Sequence, residues 1–171
     1  MRIEVEKLKE HGGGFTQTYE AGSLKLEDDD LRLIGVAEVR GRIRRDDQEV
    51  QFDGELHAKV EIPCARCLKP VVLPLDGKFA ERFAPQVSWR TEEQHELHEE
   101  DLNLAVFDGE SIELDDLIRE EILLRVPNHV LCRDDCKGLC PRCGIDLNAN
   151  DCDCQSKETD VRWDALKDLR F

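Results

Sequence analysis

Cysteine spacing restricts this chain more than any other feature of its sequence. Six of its eight cysteines lie within one 23-residue stretch, from Cys132 to Cys154. Residues 140–144 of that stretch read Cys-Pro-Arg-Cys-Gly. Proline fixes the approach of the chain, and glycine permits the positive φ that turns backbone N–H groups toward the sulfurs. Thiolates are zinc ligands, and a structural Zn²⁺ takes four ligands in a tetrahedron. The segment is therefore predicted to bind a structural Zn²⁺.

Six thiols are available for four positions around such an ion. Two short knuckles that face each other across a connection at 147–150 would supply the favoured ligands, which are Cys140, Cys143, Cys152 and Cys154. Cys132 and Cys136 are alternative ligands, and a set drawn from both groups stays open. Only three residues separate Cys136 from Cys140, which makes a tight chelate there harder to close.

A separate pair, Cys64 and Cys67, is predicted to lie in the tight connection between two strands. The pair could be half of a second zinc site, a partner for the C-terminal cysteines, a redox pair, or two sulfurs that only pack in a hairpin. The C-x2-C spacing alone does not separate these four interpretations, because zinc needs four ligands.

The cellular compartment decides between metal and disulfides. Disulfides are typical of small secreted domains. Residues 1–7 contain no apolar signal-peptide region, and nowhere do 18 consecutive apolar residues occur. We therefore expect a reducing, cytoplasmic location without membrane contact. Metal is the favoured interpretation of Cys140 and Cys143, with free or redox-active thiols as the alternative.

Residues 31–83 carry the pattern of long β-strands. Apolar and polar residues alternate over 31–43, 50–62 and 71–83, and Asp46-Asp47 marks a turn. Three long antiparallel strands in a meander explain this pattern. Shorter strands are predicted at 2–8, 15–20 and 104–107, and 84–102 is predicted to be a loop.

One amphipathic helix follows the strands. Acidic residues in its first turn suit the positive end of the helix dipole, and Pro127 ends it. A 3.6-residue period assigns five residues to its apolar face: Leu114, Leu117, Ile118, Ile122 and Leu124. The helix is predicted to cover the sheet, and a second short helix is predicted over 161–171.

The fold class is therefore α+β, mainly a long-stranded antiparallel β-sheet with one packing helix and a C-terminal zinc-binding cysteine segment. We divide the chain into a β-rich core domain at 1–130, with its covering helix near 114–126, and a C-terminal segment at 131–171. A chain of 171 residues with 40% apolar content can bury one hydrophobic core and carry a small segment that a metal ion stabilises.

Charge is distributed unevenly along the chain. The formal net charge is −15, and residues 91–121 alone carry 13 acidic side chains against one arginine. This acidic region is either a solvated loop or a contact for a basic partner protein. The rest of the surface is free to contain a basic patch.

Arginines are concentrated on the first long strand. Arg40, Arg42 and Arg44 share one face by their period of two, and Arg45 joins them. Guanidinium groups suit phosphate, so this stripe is the candidate RNA-binding site. The alternative is a solvated sheet face with cross-strand ion pairs. Aromatic residues make up only 5% of the chain, so a base-stacking platform is not expected.

An enzymatic function is not expected. The glycines at 12–14 lack the lysine and the strand-to-helix context of a phosphate-binding loop. A zinc ion with four cysteine ligands also has no open position for an activated water. No nucleophile–base pair is convincing, and no small-molecule substrate is predicted.

Several motifs together resemble the YceD family. They are Cys64-x-Arg66-Cys67-Leu68, the run from Glu113 to Glu120 leading to Pro127, the run from Cys136 to Gly144 with Asp146-Leu147-Asn148, and Asp160-x-Arg162-Trp163-x-x-Leu166. The resemblance spans about residues 30–171. Members are bacterial and plastid proteins described as large ribosomal RNA subunit accumulation proteins. Some keep the first cysteine pair without the later cysteines, which implies that zinc stabilises the later segment.

The resemblance implies a non-catalytic factor in accumulation or processing of 23S-type rRNA and in assembly of the large ribosomal subunit. The partner would be rRNA or a protein of the precursor 50S subunit. A protein in which zinc holds a thiol redox switch is the alternative, because Cys132 and Cys136 are surplus to the favoured ligands. A nuclease that acts on precursor rRNA is a third interpretation.

Overall fold

The protein is built around one long antiparallel sheet. In the computed structural model, residues 1–8, 12–26, 30–86 and 104–154 are described. Over these ranges the chain forms eight strands and one α-helix: β1 (Arg2–Glu4), β2 (Gly13–Tyr19), β3 (Arg32–Leu33), β4 (Ala37–Asp46), β5 (Glu49–Pro63), β6 (Pro70–Pro85), β7 (Leu104–Phe107), β8 (Ser111–Glu113) and α1 (Leu114–Arg125). The predicted α+β class, dominated by β structure, is confirmed.

The predicted meander is β4, β5 and β6. They pair antiparallel in sequence order, with β2 beyond β4 and β7 beyond β6. β7 lies at the predicted position but runs parallel to β6. Alternation of apolar and polar residues turns one face of these strands toward the core, where Val39, Phe52 and Leu56 are fully buried.

The strand predicted to start at Leu31 is interrupted. β3 pairs with the far end of β5, and β4 pairs with its near end, so the two pieces follow each other along one partner strand. Gly35 between them has a φ of 75°, which breaks the extended conformation. The strand predicted at 2–8 is shorter as well. β1 pairs with β8, and the chain then makes a 3₁₀ turn at Val5–Lys7.

Helix α1 covers the sheet as predicted. Leu114, Ile118 and Ile122 are fully buried in the same apolar core as the inward residues of β4 and β5. Leu124 is an error of the prediction, since its side chain is 78% exposed. Its angle does not explain this exposure, because at about 100° per residue Leu124 falls about 20° from Leu117, which is buried. Leu124 lies in the last turn of the helix, which ends at Arg125.

Two glycines that face each other allow close packing in the middle of the sheet. Gly41 and Gly54 are cross-strand partners. A Cβ on Gly54 would lie 2.5 Å from the Phe79 ring, and one on Gly41 would lie 2.4 Å from the carbonyl oxygen of Asp53. Side chains at these two positions would therefore displace the core ring or the neighbouring strand.

Two predictions fall outside the described residues. They are the terminal helix at 161–171 and nearly all of the loop at 84–102. The domain division at 130/131 stays a prediction. Within the described ranges, no helix has the length and apolar content needed to cross a membrane.

Candidate metal centres

The cysteine turn at 140–145 has the backbone of a metal knuckle. The Gly144 N–H donates to the Cys140 carbonyl oxygen at 2.8 Å, and the Cys140 N–H donates to the Ile145 carbonyl oxygen at 2.8 Å. Gly144 has a φ of 73°, as the sequence predicts for the residue after the second cysteine. Backbone N–H groups of Cys143 and Arg142 bond to the Cys140 sulfur and lower the pKa of its thiol to about 6.

The turn between β5 and β6 repeats this backbone. The Leu68 N–H donates to the Cys64 carbonyl oxygen at 3.0 Å, and the Cys64 N–H donates to the Lys69 carbonyl oxygen at 2.8 Å. Backbone N–H groups of Cys67 and Arg66 lower the pKa of Cys64 to about 6, the same effect as at Cys140. The Cys64–Cys67 turn is thus a second knuckle.

Leucine occupies the left-handed position of this second knuckle. Leu68 has a φ of 60° where the other knuckle has glycine, and its side chain is 63% exposed. A left-handed leucine is uncommon, since its Cβ crowds the backbone. The sequence analysis placed this pair in a tight connection but left its role open, because two cysteines alone do not supply the four ligands of a zinc site.

Four cysteines converge at the β5–β6 turn, which we name the hairpin cluster: Cys64, Cys67, Cys132 and Cys136. Their sulfurs all lie within 4.8 Å of one another. The Cys64 and Cys136 sulfurs are 3.8 Å apart, and those of Cys67 and Cys132 are 3.6 Å apart. Cys132 and Cys136 are therefore not surplus, as the sequence had suggested, but face the Cys64–Cys67 knuckle.

The second group, which we name the terminal cluster, is the quartet favoured from the sequence: Cys140, Cys143, Cys152 and Cys154. These sulfurs also lie within 4.8 Å of one another. The Cys152 sulfur is 3.5 Å from that of Cys143 and 3.4 Å from that of Cys140. Zn–S bonds of about 2.3 Å in a tetrahedron place sulfurs about 3.8 Å apart. Both clusters have close to this spacing, whereas a disulfide needs about 2.05 Å.

The clusters differ in burial. Cys64, Cys67 and Cys136 of the hairpin cluster are at most 4% exposed and pack against Val71, Leu131 and Leu139. In the terminal cluster only Cys140 is buried, while Cys143 and Cys154 are exposed. The hairpin cluster therefore belongs to a small apolar core, and the terminal cluster lies at the surface.

Electrostatics within the terminal cluster favour a cation between the sulfurs once they ionise. The neighbouring Cys152 and Cys143 sulfurs raise the pKa of Cys154 to about 12, whereas backbone N–H groups lower that of Cys140. Several thiolates this close repel one another unless a positive charge lies between them. A divalent ion reverses this effect, because it favours the thiolate of every ligand.

Asn148 connects the two clusters, although it lies in the loop of the terminal one. Its Nδ2 donates to the Cys136 sulfur at 3.5 Å and to Asp146 Oδ1 at 2.8 Å. Its Oδ1 accepts hydrogen bonds from the Lys137 N–H and from Arg133, both at 2.8 Å. Sequence reasoning singled out Asn148 only as part of a family motif and did not predict this role.

Asp146 extends the connection to the hairpin. Its Oδ2 forms an ion pair with Lys69 Nζ at 2.6 Å. Lys69 and the Asn148 N–H groups lower the pKa of Asp146 to about 2. Arg66 donates to the Cys136 carbonyl oxygen at 2.8 Å. Lys69 and Arg66, which lie beside the first cysteine pair, thus contact groups of the cysteine segment.

The arginine stripe has the predicted face for three of its four residues. Arg40, Arg42 and Arg44 are exposed on the outer face of β4. Arg45 lies on the opposite face, as the period of two requires, and donates to the Val5 carbonyl oxygen at 3.4 Å. The stripe is therefore narrower than the sequence analysis proposed.

Acidic neighbours partly neutralise the stripe. Arg40 pairs with Glu38 at 2.9 Å, and Arg44 pairs with Asp53. None of the described residues forms an ion pair with Arg42. Arg40 and Arg44 thus belong to a solvated, ion-paired sheet face, whereas Arg42 does not share these ion pairs.

Comparisons with known proteins place the chain in a family. The family model "Large ribosomal RNA subunit accumulation protein YceD" matches residues 52–170. The uncharacterized protein YlbN of Bacillus subtilis is 25% identical over 167 residues, which cover 97% of this chain and 92% of that protein. An uncharacterized protein of Mycobacterium tuberculosis is 33% identical over 144 residues, and the match covers 84% of this chain but only 62% of that protein.

A plant relative carries a functional name. The Arabidopsis thaliana protein "Large ribosomal RNA subunit accumulation protein YCED homolog 1, chloroplastic" is 36% identical over 59 residues, which cover 34% of this chain and 18% of that protein. No solved structure matches the chain. Since the family model covers well over half of its residues, including every cysteine of both clusters, this chain belongs to the YceD family.

Proposed function

We propose that this chain is a cytoplasmic, non-catalytic factor in the accumulation of 23S-type rRNA and the assembly of the large ribosomal subunit. The observation that carries the proposal is the family match over residues 52–170, since the family is named for large ribosomal RNA subunit accumulation. The partner is rRNA itself or a protein of the precursor large subunit.

The chemistry of the cysteine clusters supports a non-catalytic role. Each cluster offers four sulfurs, which is the full ligand set of a tetrahedral structural zinc. A catalytic zinc keeps a position for water or substrate, and neither cluster leaves one when all four sulfurs bind. A nuclease activity is tested by incubating the protein with precursor rRNA in Mg²⁺ and in chelator. Cleavage in either would overturn this part of the proposal.

The terminal cluster is proposed to hold a structural Zn²⁺. Its sulfur spacing of 3.4–3.5 Å and the N–H groups directed at Cys140 support this assignment. The ion would fix the chain from residue 140 to residue 154, a stretch in which most side chains are exposed or only partly buried. Metal would replace the hydrophobic core that so short a segment cannot form.

The RNA contact is proposed at Arg42, with Arg40 and Arg44 beside it. Arg42 and Arg45 provide a matched pair, because Arg42→Gln and Arg45→Gln remove the same charge from opposite faces of β4. If Arg42 contacts phosphate, its variant should bind rRNA more weakly, with a salt slope smaller by about one. Equal effects of the two variants would mean that only total charge matters.

The whole proposal is tested in the source cell by deleting the gene and measuring the ratio of large-subunit to small-subunit rRNA. We expect the ratio to fall and to recover when the chain is expressed again. Tagged protein, recovered at low and moderate salt, should carry 23S-type precursor or large-subunit proteins. An unchanged ratio with no ribosomal component in the recovered sample would overturn the proposal.

A zinc-held thiol switch is the second candidate, and the exposure of Cys143 and Cys154 favours it. One peroxide molecule would oxidise two zinc-bound thiolates to a disulfide and be reduced to two hydroxide ions, which releases the metal. Zinc release from the terminal cluster at low peroxide, reversed by thiol reductant, would support this candidate. Thiols that stay reduced would exclude it.

A further inference from the structure

We infer that the hairpin cluster binds a second Zn²⁺, which joins the β5–β6 turn to the segment that follows α1. This site is separate from the terminal cluster and does not depend on the ribosomal role. Its four ligands are Cys64, Cys67, Cys132 and Cys136, the cysteines whose role the sequence left open.

The first argument is the shape of the β5–β6 turn. The two backbone hydrogen bonds that close it join the same relative positions as those of the Cys140 knuckle. In both turns, two backbone N–H groups are directed at the sulfur of the first cysteine, Cys64 or Cys140. A hairpin does not require this geometry. Its conformation even places Leu68 in the left-handed region, which leucine adopts at a cost. The unfavourable conformation of Leu68 is explained if the turn must present the Cys64 and Cys67 sulfurs to one ion.

The second argument is how the other two sulfurs reach the turn. Residues 130–139 run alongside the knuckle, where the Ala65 N–H donates to the Val130 carbonyl oxygen at 2.8 Å and the Leu139 N–H donates to the Arg66 carbonyl oxygen at 3.1 Å. These bonds hold the second cysteine pair against the first. Both sulfur separations, 3.6 and 3.8 Å, agree with the edge of a ZnS₄ tetrahedron.

The third argument concerns the partners around the ligands. Asn148 donates to the Cys136 sulfur while its own oxygen accepts two hydrogen bonds, so its orientation is fixed. Such outer partners typically hold the ligands of a metal site. Oxygen ligands are absent from the set of four, and a tetrahedral site of four thiolates selects zinc, or iron as its main competitor.

The test is the metal content of the full chain, purified under reducing conditions and measured by elemental analysis and native mass spectrometry. We expect two zinc ions in the wild type. Cys64→Ser/Cys67→Ser and the matched control Cys140→Ser/Cys143→Ser should each retain one. A single zinc in the wild type that survives the first double variant would overturn the inference. Iron in place of zinc would overturn the choice of metal.

A second measurement avoids variants that fail to fold. Metal-free wild type is titrated with Co²⁺, and the absorption of tetrahedral thiolate-bound cobalt should rise until two equivalents are added. Alkylation followed by peptide mapping should then show all hairpin cysteines protected in the zinc-loaded protein and modified after chelation. A cobalt endpoint at one equivalent, or a Cys64–Cys67 disulfide in the native protein, would overturn the inference.

Discussion

Loss of the hairpin zinc should destabilise the protein more than loss of the terminal zinc. The two crosslinks close loops of very different length. The hairpin cluster joins Cys67 to Cys132, about 65 residues along the chain, whereas the terminal cluster joins Cys143 to Cys152, about nine residues apart. The chain-entropy relation for a crosslink gives about 4 kcal/mol for the longer loop and about 3 kcal/mol for the shorter one. We therefore expect a difference of about 1–2 kcal/mol.

The two metal sites can be compared through one exposed ligand of each. Cys132→Ser and Cys154→Ser each remove one of four ligands at an exposed position, so burial of the new hydroxyl should contribute little to either variant. The hairpin variant should lose additional stability because the buried sulfurs of Cys64 and Cys136 remain as an incomplete site inside an apolar cluster.

The assay is urea unfolding followed by far-ultraviolet circular dichroism, in reducing buffer with buffered free zinc. The free energy of unfolding should decrease in the order wild type, Cys154→Ser, Cys132→Ser. An excess of chelator should remove most of the difference, since all three proteins then lack metal. Equal destabilisation by the two variants, or a larger effect of Cys154→Ser, would refute the loop-length reasoning.

Three further predictions concern the contacts that support the site and the core. Asn148→Ala should release the hairpin zinc to a chelator at least 10-fold more readily, since it removes a donor to the Cys136 sulfur; an unchanged release curve would refute this role. Arg125→Leu should cost about 3–5 kcal/mol in urea unfolding because it leaves the ion-paired Glu121, only 6% exposed, without its cation, and Glu121→Leu added to it should recover most of the loss. Glu81→Gln should stabilise the protein at neutral pH. Burial, with some repulsion from Glu121, raises the pKa of Glu81, so the ionised carboxylate opposes folding above that pKa. The stability advantage of glutamine should therefore disappear as the pH falls below that pKa. An advantage that persists in acid would contradict this prediction.

Local patterns predicted most of the fold. Strands β4, β5 and β6 follow the alternation of apolar and polar residues, and α1 follows the 3.6-residue period, because burial of one face determines both. The errors arose where another interaction dominates. The φ of Gly35 divides β3 from β4, and Leu124 is exposed in the last turn of α1 although it lies on the same side of the helix as the buried Leu117.

The cysteine site was only half predictable. The terminal quartet is compact in sequence, so spacing favoured its four members, although a set that includes Cys132 or Cys136 stayed open. The hairpin cluster joins residues about 65 positions apart, and no local pattern encodes that pairing. The Cys64–Cys67 pair was recognised, but its spacing alone does not identify the other two ligands of a four-ligand site. The role of Asn148 becomes visible only when both clusters are in place.

Under the proposed function, metal loading affects which ribosomal partner the protein would meet first. The formal net charge is −15 with the cysteines neutral. Eight thiolates and two divalent ions add four further negative charges, which gives about −19 for the zinc-loaded chain. Such a charge repels RNA at a distance, and the repulsion is screened beyond about 8–10 Å at physiological salt. Under the proposed function, long-range attraction would therefore favour a basic protein of the large subunit, while Arg42 and its neighbours would act on phosphate only at contact distance. We expect the acidic region at 91–121 to contribute to encounter and the arginine stripe to contribute after docking.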